Sequence, residues 1–291
     1  MERYTRLAKL ATLSSVLVAV ILIVLKTIAY LATGSMSMLG SLLDSSMDGI
    51  TSLVNFLAVR YASAPADDEH RFGHGKAESL AALIQAAFLC GSAFMLVLTS
   101  VDVLVDPKPI EHSFWGIVIS VIAICLTLVL VLFQQYVVKE TNSLVVEADA
   151  LHYKGDLLMN GAVIFALFMA SQGLGWIDVI CAMAIAGYLL VNAWQLARKA
   201  WQDLMDRELG PEVEEHIRNM VRELPGCLGC HDIRTRQAGP QRFIQLHLEL
   251  DGSLSLTQAH AIGLRLEQSL LAEYPHAEVM IHHDPVVAPR A

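Results

Sequence analysis

The stretch Leu39–Asn55, LGSLLDSSMDGITSLVN, decides the fold because it places two acids inside a long apolar run. Asp44 and Asp48 are four residues apart, so on a helix they lie one turn apart on the same face. An ionised Asp near the middle of a bilayer costs roughly 2.5 to 3.5 kcal/mol on insertion scales. Acids in such a position usually mark an ion or proton pathway, and the alternative is a polar helix contact without a ligand. The stretch therefore predicts a membrane helix that uses both carboxylates.

The composition of the whole chain is that of a membrane protein. Its 291 residues are 55% hydrophobic and only 17% charged, which is too apolar for an ordinary soluble domain. The net charge of −9 argues against nucleic acid as a partner. Five scattered cysteines, three of them in apolar runs, do not form a disulfide framework. The first apolar segment is too long for a signal peptide. We therefore expect a multi-pass protein of the lipid bilayer.

Six apolar segments have spanning length, which predicts a membrane all-α domain of six transmembrane helices. Lys26 lies within the first segment and can snorkel outward. From about Arg207 the composition becomes that of a soluble domain, so we expect one domain over residues 1–206 and a second over residues 207–291. The predicted spans are 7–32, 36–61, 77–104, 114–138, 144–170 and 177–201.

Basic residues in alternate loops predict the orientation of the chain in the membrane. They precede the first span and follow the second, fourth and sixth, whereas the other loops hold only Lys108. By the positive-inside rule both termini are cytoplasmic. If one run were instead a buried soluble helix, this alternation would be broken.

The fifth span contains a second pair of ligand-type side chains, in the stretch EADALHYKGDLLMN. His152 and Asp156 lie on one helical face, and Asp149 and Asn160 extend that face at its two ends. Three carboxylates and one imidazole from two spans suit a four-coordinate divalent ion such as Zn²⁺. The alternative for the histidine is a hydrogen-bonded core residue. The pattern favours an intramembrane metal site.

The connection between the second and third spans, ASAPADDEHRFGHGKAES, contains a further metal-site candidate. Asp67, His70 and His74 are spaced i, i+3 and i+7, and Zn²⁺ accepts this combination of oxygen and nitrogen ligands. The competing interpretation is a solvated loop at the membrane surface.

The C-terminal region predicts a small α+β domain with the element order αββαβ. A helix begins at Gly210-Pro211, and strands are expected over residues 227–237, 242–250 and 277–284, with a second helix over 256–273. Residues 242–250 alternate between apolar and polar side chains, as in a strand with one buried face. This order suits helices packed on one face of a small sheet.

Histidines concentrate in this domain and predict a cytoplasmic metal cluster. On the last strand Val279 and Ile281 should face the core, which puts His282 and Asp284 on the other face and turns His283 away from them. The alternative is a merely solvated edge rich in histidine. The predicted ligands are His231, His247, His260, His282 and Asp284.

A single CxxC, Cys227 to Cys230, precedes the first strand. Two such pairs would indicate zinc, but one alone is better interpreted as chance or a buried pair.

Three stretches together resemble the signatures of the cation diffusion facilitator family: SLLDSSMD at 41–48, HRFGHGKAE at 70–78 and EADALHYKGD at 147–156. The resemblance extends over nearly the whole chain. The short connection Tyr136–Asn142 favours a bacterial branch, and hence the bacterial inner membrane. The C-terminal domain resembles the metallochaperone-like cytoplasmic domain of the same family.

The resemblance implies roles for particular residues. Leu151 would be a hydrophobic gate beside the transport site, and Lys76 would pair with Asp206 to hold helix ends together across a homodimer. The C-terminal cluster would be regulatory. The implied transport ligands are Asp44, Asp48, His152 and Asp156, and the implied loop ligands are Asp67, His70 and His74.

The function that we expect is divalent metal/proton antiport that exports metal from the cytoplasm, with Zn²⁺ transported and also bound at the regulatory sites. Iron(II) and cadmium remain open, because an Asp/His site without Cys accepts several ions. We expect a secondary active transporter and not an enzyme. The alternatives are a membrane metalloenzyme, for which no HExxH-type motif appears, and a membrane-anchored metal sensor without transport.

Overall fold

The computed structural model describes residues 2–33, 36–105, 114–171 and 177–286. The chain divides into two compact units, one over Glu2–Trp201 and one that begins at Gln202. The predicted domain boundary between residues 206 and 207 stays a prediction. Lys108, which the orientation argument uses, lies outside the described residues.

The described part of the first unit consists of six long helices, which confirms the predicted all-α fold. Within it α1, α3, α4 and α6 are long and apolar enough to cross a membrane. The other two, α2 and α5, carry the predicted transport ligands, and polar side chains lower the hydropathy of any window that contains them. The helices are α1 (Glu2–Thr33), α2 (Met36–Ala62), α3 (Lys76–Val105), α4 (Phe114–Thr141), α5 (Leu144–Ser171) and α6 (Ile177–Leu204).

Helix α5 is central in this unit because it contacts α1, α2, α3 and α4. Small residues allow close helix approach in a membrane domain. Ala8 and Ala11 of α1 are fully buried together with Ala81 of α3 and valines of α2, α4 and α5. This packing sets α5 against α2, so that their polar faces can meet.

The second unit contains α7 (Pro211–Glu223), β1 (Cys227–Ala238), β2 (Gln241–Asp251), α8 (Leu256–Glu273) and β3 (Ala277–Val286), which confirms the order αββαβ. In the described residues the sheet has the strand order β1-β2-β3. Strands β1 and β2 are antiparallel, whereas β2 and β3 are parallel and are joined through α8.

The core of this unit lies on one face of the sheet. Ile244, Leu246, Leu248 and Leu250 are buried there against both helices, as the alternation along β2 predicts. Ser255 is the N-cap of helix α8, and its side chain and that of Gln258 form a reciprocal capping box. Since both helices cover the inner face, the polar residues of β2 occupy the outer face.

Candidate metal sites

Helices α2 and α5 bring three of the predicted transport residues together. Nε2 of His152 lies 2.9 Å from Oδ1 of Asp48 and 3.8 Å from Oδ2 of Asp156. One ligand atom from each residue lies within 4.8 Å of the others. Zinc bonds to nitrogen and oxygen are about 2.0 to 2.2 Å long, so small side-chain shifts would let one ion contact all three. All three side chains are half-buried.

Asp44, the fourth predicted ligand, stands apart from this group of three. It lines the same cavity of about 580 Å³, together with Asp48, His152 and Asp156. The structure therefore brings Asp44 to the cavity but not to the three-residue group. A fourth ligand for an ion held by the group would require a movement of Asp44 or a water molecule.

Lys26 also lines this cavity and does not take the outward course that its long side chain allows. Its ammonium donates hydrogen bonds to Oγ of Ser45 at 2.6 Å and to the backbone oxygen of Ser41 at 3.1 Å. The reason is that these oxygens and the cavity acids lie within reach of the side chain, so the ammonium is satisfied inside the unit. Sequence alone could not predict this, because it depends on the rotation of α1 against α2.

The two residues that extend the ligand face of α5 have different surroundings. Asn160 lines the cavity and donates to the backbone oxygen of Asp156 at 2.8 Å. Asp149 is only 1% exposed and is hydrogen-bonded to three other helices. Its carboxylate accepts from Asn55 at 3.0 Å, from Gln134 at 2.6 Å and from Ser15 at 2.5 Å. Asp149 is thus a packing residue of the membrane unit.

Leu151, the implied gate, is half-buried against the apolar cluster that α3 and α6 form with Ala148. It is next to His152 in the chain. Its role as a gate stays a prediction.

The structure also brings together the loop residues Asp67, His70 and His74. Oδ1 of Asp67 lies 3.3 Å from Nδ1 of His70, and Oδ2 lies 3.3 Å from Nε2 of His74. Backbone N–H groups of His70 and then Glu69 donate to Asp67 and lower the pKa of its carboxyl below the ordinary value. His74 is buried against the ring of Tyr61, and its Nδ1 has no hydrogen-bond partner among the described residues.

Lys76 and Asp206, the implied interhelical pair, belong to different units. Lys76 is the first residue of α3. Oδ1 of Asp206 accepts a hydrogen bond from Nη1 of Arg236 at 3.2 Å within the second unit. The pairing of Lys76 with Asp206 therefore stays a prediction.

The outer face of the sheet carries the predicted cytoplasmic cluster. Oδ2 of Asp284 lies 2.9 Å from Nδ1 of His247 and 3.3 Å from Nε2 of His231. His282 joins through its Nε2, 3.2 Å from Oδ1 of Asp284. The hydrogen bond with His247, with smaller contributions from the other imidazoles, lowers the pKa of the Asp284 carboxyl. The ligand types and spacing fit a divalent ion.

His260 and His283 lie away from this cluster. His260 is exposed on α8, which covers the inner face of the sheet, so the structure does not bring it to the cluster within one chain. His283 turns toward α8, as the alternation predicts, and a Cβ built on Gly263 would lie 2.2 Å from its Nε2.

Glu249 also belongs to the cluster, although it is not among the predicted ligands. Its Oε1 lies 3.0 Å from Nδ1 of His231, so a proton on Nδ1 is donated to Glu249 and Nε2 is left to face Asp284. Such carboxylates orient the histidine ligands of metal sites. The sequence does contain an indication of this role, because Glu249 lies two residues after His247 on the polar face of β2.

Cys227 and Cys230 pack against the core of the second unit. Burial raises the pKa of both thiols, which disfavours the thiolate that metal binding requires. This agrees with a buried pair.

The first unit has long helices, and two of them bring carboxylate and imidazole side chains together. The second unit carries a histidine cluster. These are the features of a membrane protein that binds metal cations. A model described as "Cation efflux transmembrane domain" matches residues 12–205, and one described as "Cation efflux protein, cytoplasmic domain" matches residues 209–286. The chain therefore belongs to the cation efflux family, the cation diffusion facilitators, and is a cation efflux transporter. The matching cytoplasmic domain is the family's dimer domain, which indicates dimer formation.

Similar proteins cover almost the full length of the chain. The cation-efflux pump FieF of Shewanella oneidensis is 50% identical over 289 residues, 98% of this chain and 96% of that protein. FieF of Cronobacter sakazakii is 47% identical over 288 residues, 99% of this chain and 96% of that protein. Among solved structures, the metal-bound C-terminal domain of the CzcD transporter from Thermotoga maritima is 25% identical. It covers 27% of this chain and 93% of that structure, with a TM-score of 0.25. The predicted family resemblance is confirmed.

Proposed function

We propose that this transporter exports a divalent cation, zinc in the first place, from the cytoplasm in exchange for protons. The observation that carries the proposal is the 2.9 Å approach of His152 on α5 to Asp48 on α2, with Asp156 beside them. Two helices would thus supply ligands to one point in a cavity of the membrane unit. Ionisable groups placed in this way are typical of ion and proton pathways.

The ligand set supports zinc without excluding its neighbours. Two carboxylates and one imidazole form the group, and Asp44 lies in the same cavity. Zn²⁺ accepts these ligands in a four-coordinate site, and iron(II) and cadmium are further candidates.

Proton exchange follows from the chemistry of the ligands. A carboxylate or an imidazole must be deprotonated to bind metal, so protons and metal compete for the same atoms. In the cytoplasm-facing state the site would load metal and release protons. After a rocking movement of the helices, protons would bind His152 and the acids, displace the metal and drive the return.

The orientation and location belong to the same proposal. Both termini would lie in the cytoplasm of a bacterium, and the protein would be in the inner membrane. The loop group Asp67, His70 and His74 would bind metal at the cytoplasmic side, and Leu151 would close the transport site from one side.

The second unit would act as a regulator within a homodimer. Its cluster of His231, His247, His282 and Asp284 would bind cytoplasmic zinc, tighten the dimer and favour transport, a coupling between distinct sites. His260 would reach the cluster from a second copy of the chain, since α8 lies on the other face of its own sheet. Lys76 and Asp206 would hold helix ends together in the dimer.

Zinc flux into proteoliposomes with an imposed pH gradient tests the proposal. We expect Asp48→Ala to abolish zinc uptake, because it removes the α2 ligand of the three-residue group. Glu215→Ala, which removes an exposed carboxylate of α7, should leave uptake unchanged. Uptake by the Asp48 variant equal to that of the unchanged protein would refute the assignment.

A further inference from the structure

The cargo cavity contains a fixed cation of the protein itself. Lys26 comes from α1 and lines the cavity together with Asp44, Asp48 and Asp156. All three carboxylates and the ammonium thus face one cavity of about 580 Å³. A lysine inside a span without partners there would be expected to extend toward the membrane surface.

The hydrogen bonds of Lys26 hold the ammonium against the ligand helix. The acceptors are the backbone oxygen of Ser41 and Oγ of Ser45, at 3.1 and 2.6 Å. Ser45 follows Asp44 directly in the chain, and Ser41 is one helical turn before it. Lys26 is thus held on the turn of α2 that contains Asp44, the acid that stands apart from the group of Asp48, His152 and Asp156.

The side chains of the loaded cavity carry a net charge that one divalent cation neutralises. Metal binding requires deprotonated carboxylates and a neutral imidazole among its ligands, so in the loaded site Asp48 and Asp156 are negative and His152 is uncharged. An ionised Asp44 beside them brings the number of negative charges in the cavity to three. The ammonium of Lys26 cancels one of the negative charges. Two negative charges remain, and a single divalent cation neutralises them. Without Lys26 the loaded cavity would keep one uncompensated negative charge in a low-dielectric environment.

We infer that Lys26 is a specificity-determining residue of the cargo site, whose positive charge adjusts the cavity to one divalent ion and keeps that ion releasable. The inference rests on the proposed transport site. Repulsion between the ammonium and the metal lowers affinity, and a transporter requires a bound state that is weak enough to release its cargo. The same charge attracts Asp44 and so competes with the metal for this carboxylate.

The competing explanation is that Lys26 only joins α1 to α2 through hydrogen bonds. The two explanations differ for Lys26→Gln, which can still donate to Ser41 or Ser45 but has no charge. Lys26→Met removes charge and donor together, and Lys26→Arg keeps both.

The test is zinc binding to the purified full-length protein, measured by titration calorimetry, together with zinc flux in proteoliposomes. Each variant is made with and without Asp48→Ala, so that the difference isolates binding at the cargo site. We expect Lys26→Gln and Lys26→Met to bind zinc there about tenfold more tightly or more, since a nearby positive charge is lost, and to transport it more slowly. Lys26→Arg should remain within about threefold of the unchanged protein in affinity. Lys139→Met, at the exposed end of α4, is the charge control.

Each outcome decides the inference. Affinity in Lys26→Gln equal to that of the unchanged protein, or weaker, would overturn it and leave the hydrogen-bonding role. Loss of folding in Lys26→Met, seen by size-exclusion chromatography, leaves the decision to Lys26→Gln and Lys26→Arg. If Asp48→Ala has no effect on zinc binding or flux in the unchanged background, the proposed cargo site itself is wrong, and this result is distinct from a failure of the Lys26 inference.

Discussion

His152 is the residue through which the two ligand helices meet, because its Nε2 contacts Asp48 of α2 and lies beside Asp156 of its own helix. It offers a nitrogen atom in a group whose other two members offer oxygen. A neutral imidazole binds metal and a protonated one does not. His152 is therefore the side chain at which exchange of metal for protons is expected to be most direct.

Replacement of the His152 imidazole should cause a large loss of zinc flux. We expect His152→Gln to reduce zinc flux at least about tenfold, because one of three clustered ligands is lost and an amide binds zinc weakly. The matched control is His216→Gln, since His216 lies half-exposed on α7 near Glu273 and outside the three metal groups. Equal losses in both variants would mean that the effect does not come from the cargo site.

At the scale of elements, the site depends on how α1, α2, α4 and α5 are held together. Asp149 joins all four through Ser15, Asn55 and Gln134. A buried carboxylate left without these donors would be costly. The hydrogen bonds thus fix the pair α2 and α5, whose opposed faces carry the proposed ligands.

Loss of a hydrogen bond to Asp149 should affect stability more than metal binding. We expect Asn55→Ala, which leaves one oxygen of Asp149 without its donor, to lower the free energy of unfolding by about 1 to 3 kcal/mol. Thermal unfolding in detergent, with Asn192→Ala as a control for amide removal, measures it. Zinc affinity at the cargo site should change less than about threefold. A large loss of affinity with unchanged stability would contradict the packing role.

The turn over residues 67–70 provides a prediction on pH. Hydrogen bonds hold the pKa of Asp67 below its ordinary value of 3.8. The stabilisation is therefore fully present above 3.8 and is lost as the pH falls through the lower folded value. Amide hydrogen exchange at His70, corrected for intrinsic rates, should show protection that is constant from pH 7 to pH 5. Asp67→Asn should weaken this protection at every pH. An unchanged exchange rate of the His70 amide in this variant would contradict the hydrogen bonds assigned to Asp67.

Some elements could be predicted from sequence because they depend on local periodicity. The lengths of the apolar segments predict the helices of the membrane unit. The alternation along β2 predicts its buried face, and the i, i+4 spacing predicts the pairs of candidate ligands. The direction of Lys26 and the separation of Asp44 depend on how one helix is rotated against another. That rotation is set by packing, and no spacing within one segment contains it.

At the scale of the whole molecule, the cation efflux transporter combines a membrane unit with a dimer domain. Within one chain the sheet presents His231, His247 and His282 outward, whereas His260 lies on the helix that covers the other face. From sequence, His260 and the outward-facing histidines could be assigned to one cluster. The sequence does not show that they lie on opposite faces of the sheet within a single copy. A site shared between copies would reconcile the two.

A dimer experiment follows from this arrangement. We expect zinc to strengthen the dimer of the full-length protein and His260→Ala to remove most of that effect, because the partner's ligand is lost. Light scattering of dilute detergent-solubilised protein, with and without zinc, gives the mass, and His276→Ala serves as a control. Zinc-dependent dimerisation that is the same in His260→Ala would exclude a ligand role for His260.

The most direct measurement of the central claim is anomalous diffraction at the zinc edge from crystals of the full-length protein grown with zinc. We predict a peak between α2 and α5, about 2.0 to 2.2 Å from atoms of Asp48, His152 and Asp156, that is absent from His152→Gln crystals. Peaks confined to the loop and to the C-terminal domain, with nothing between these two helices, would contradict the account.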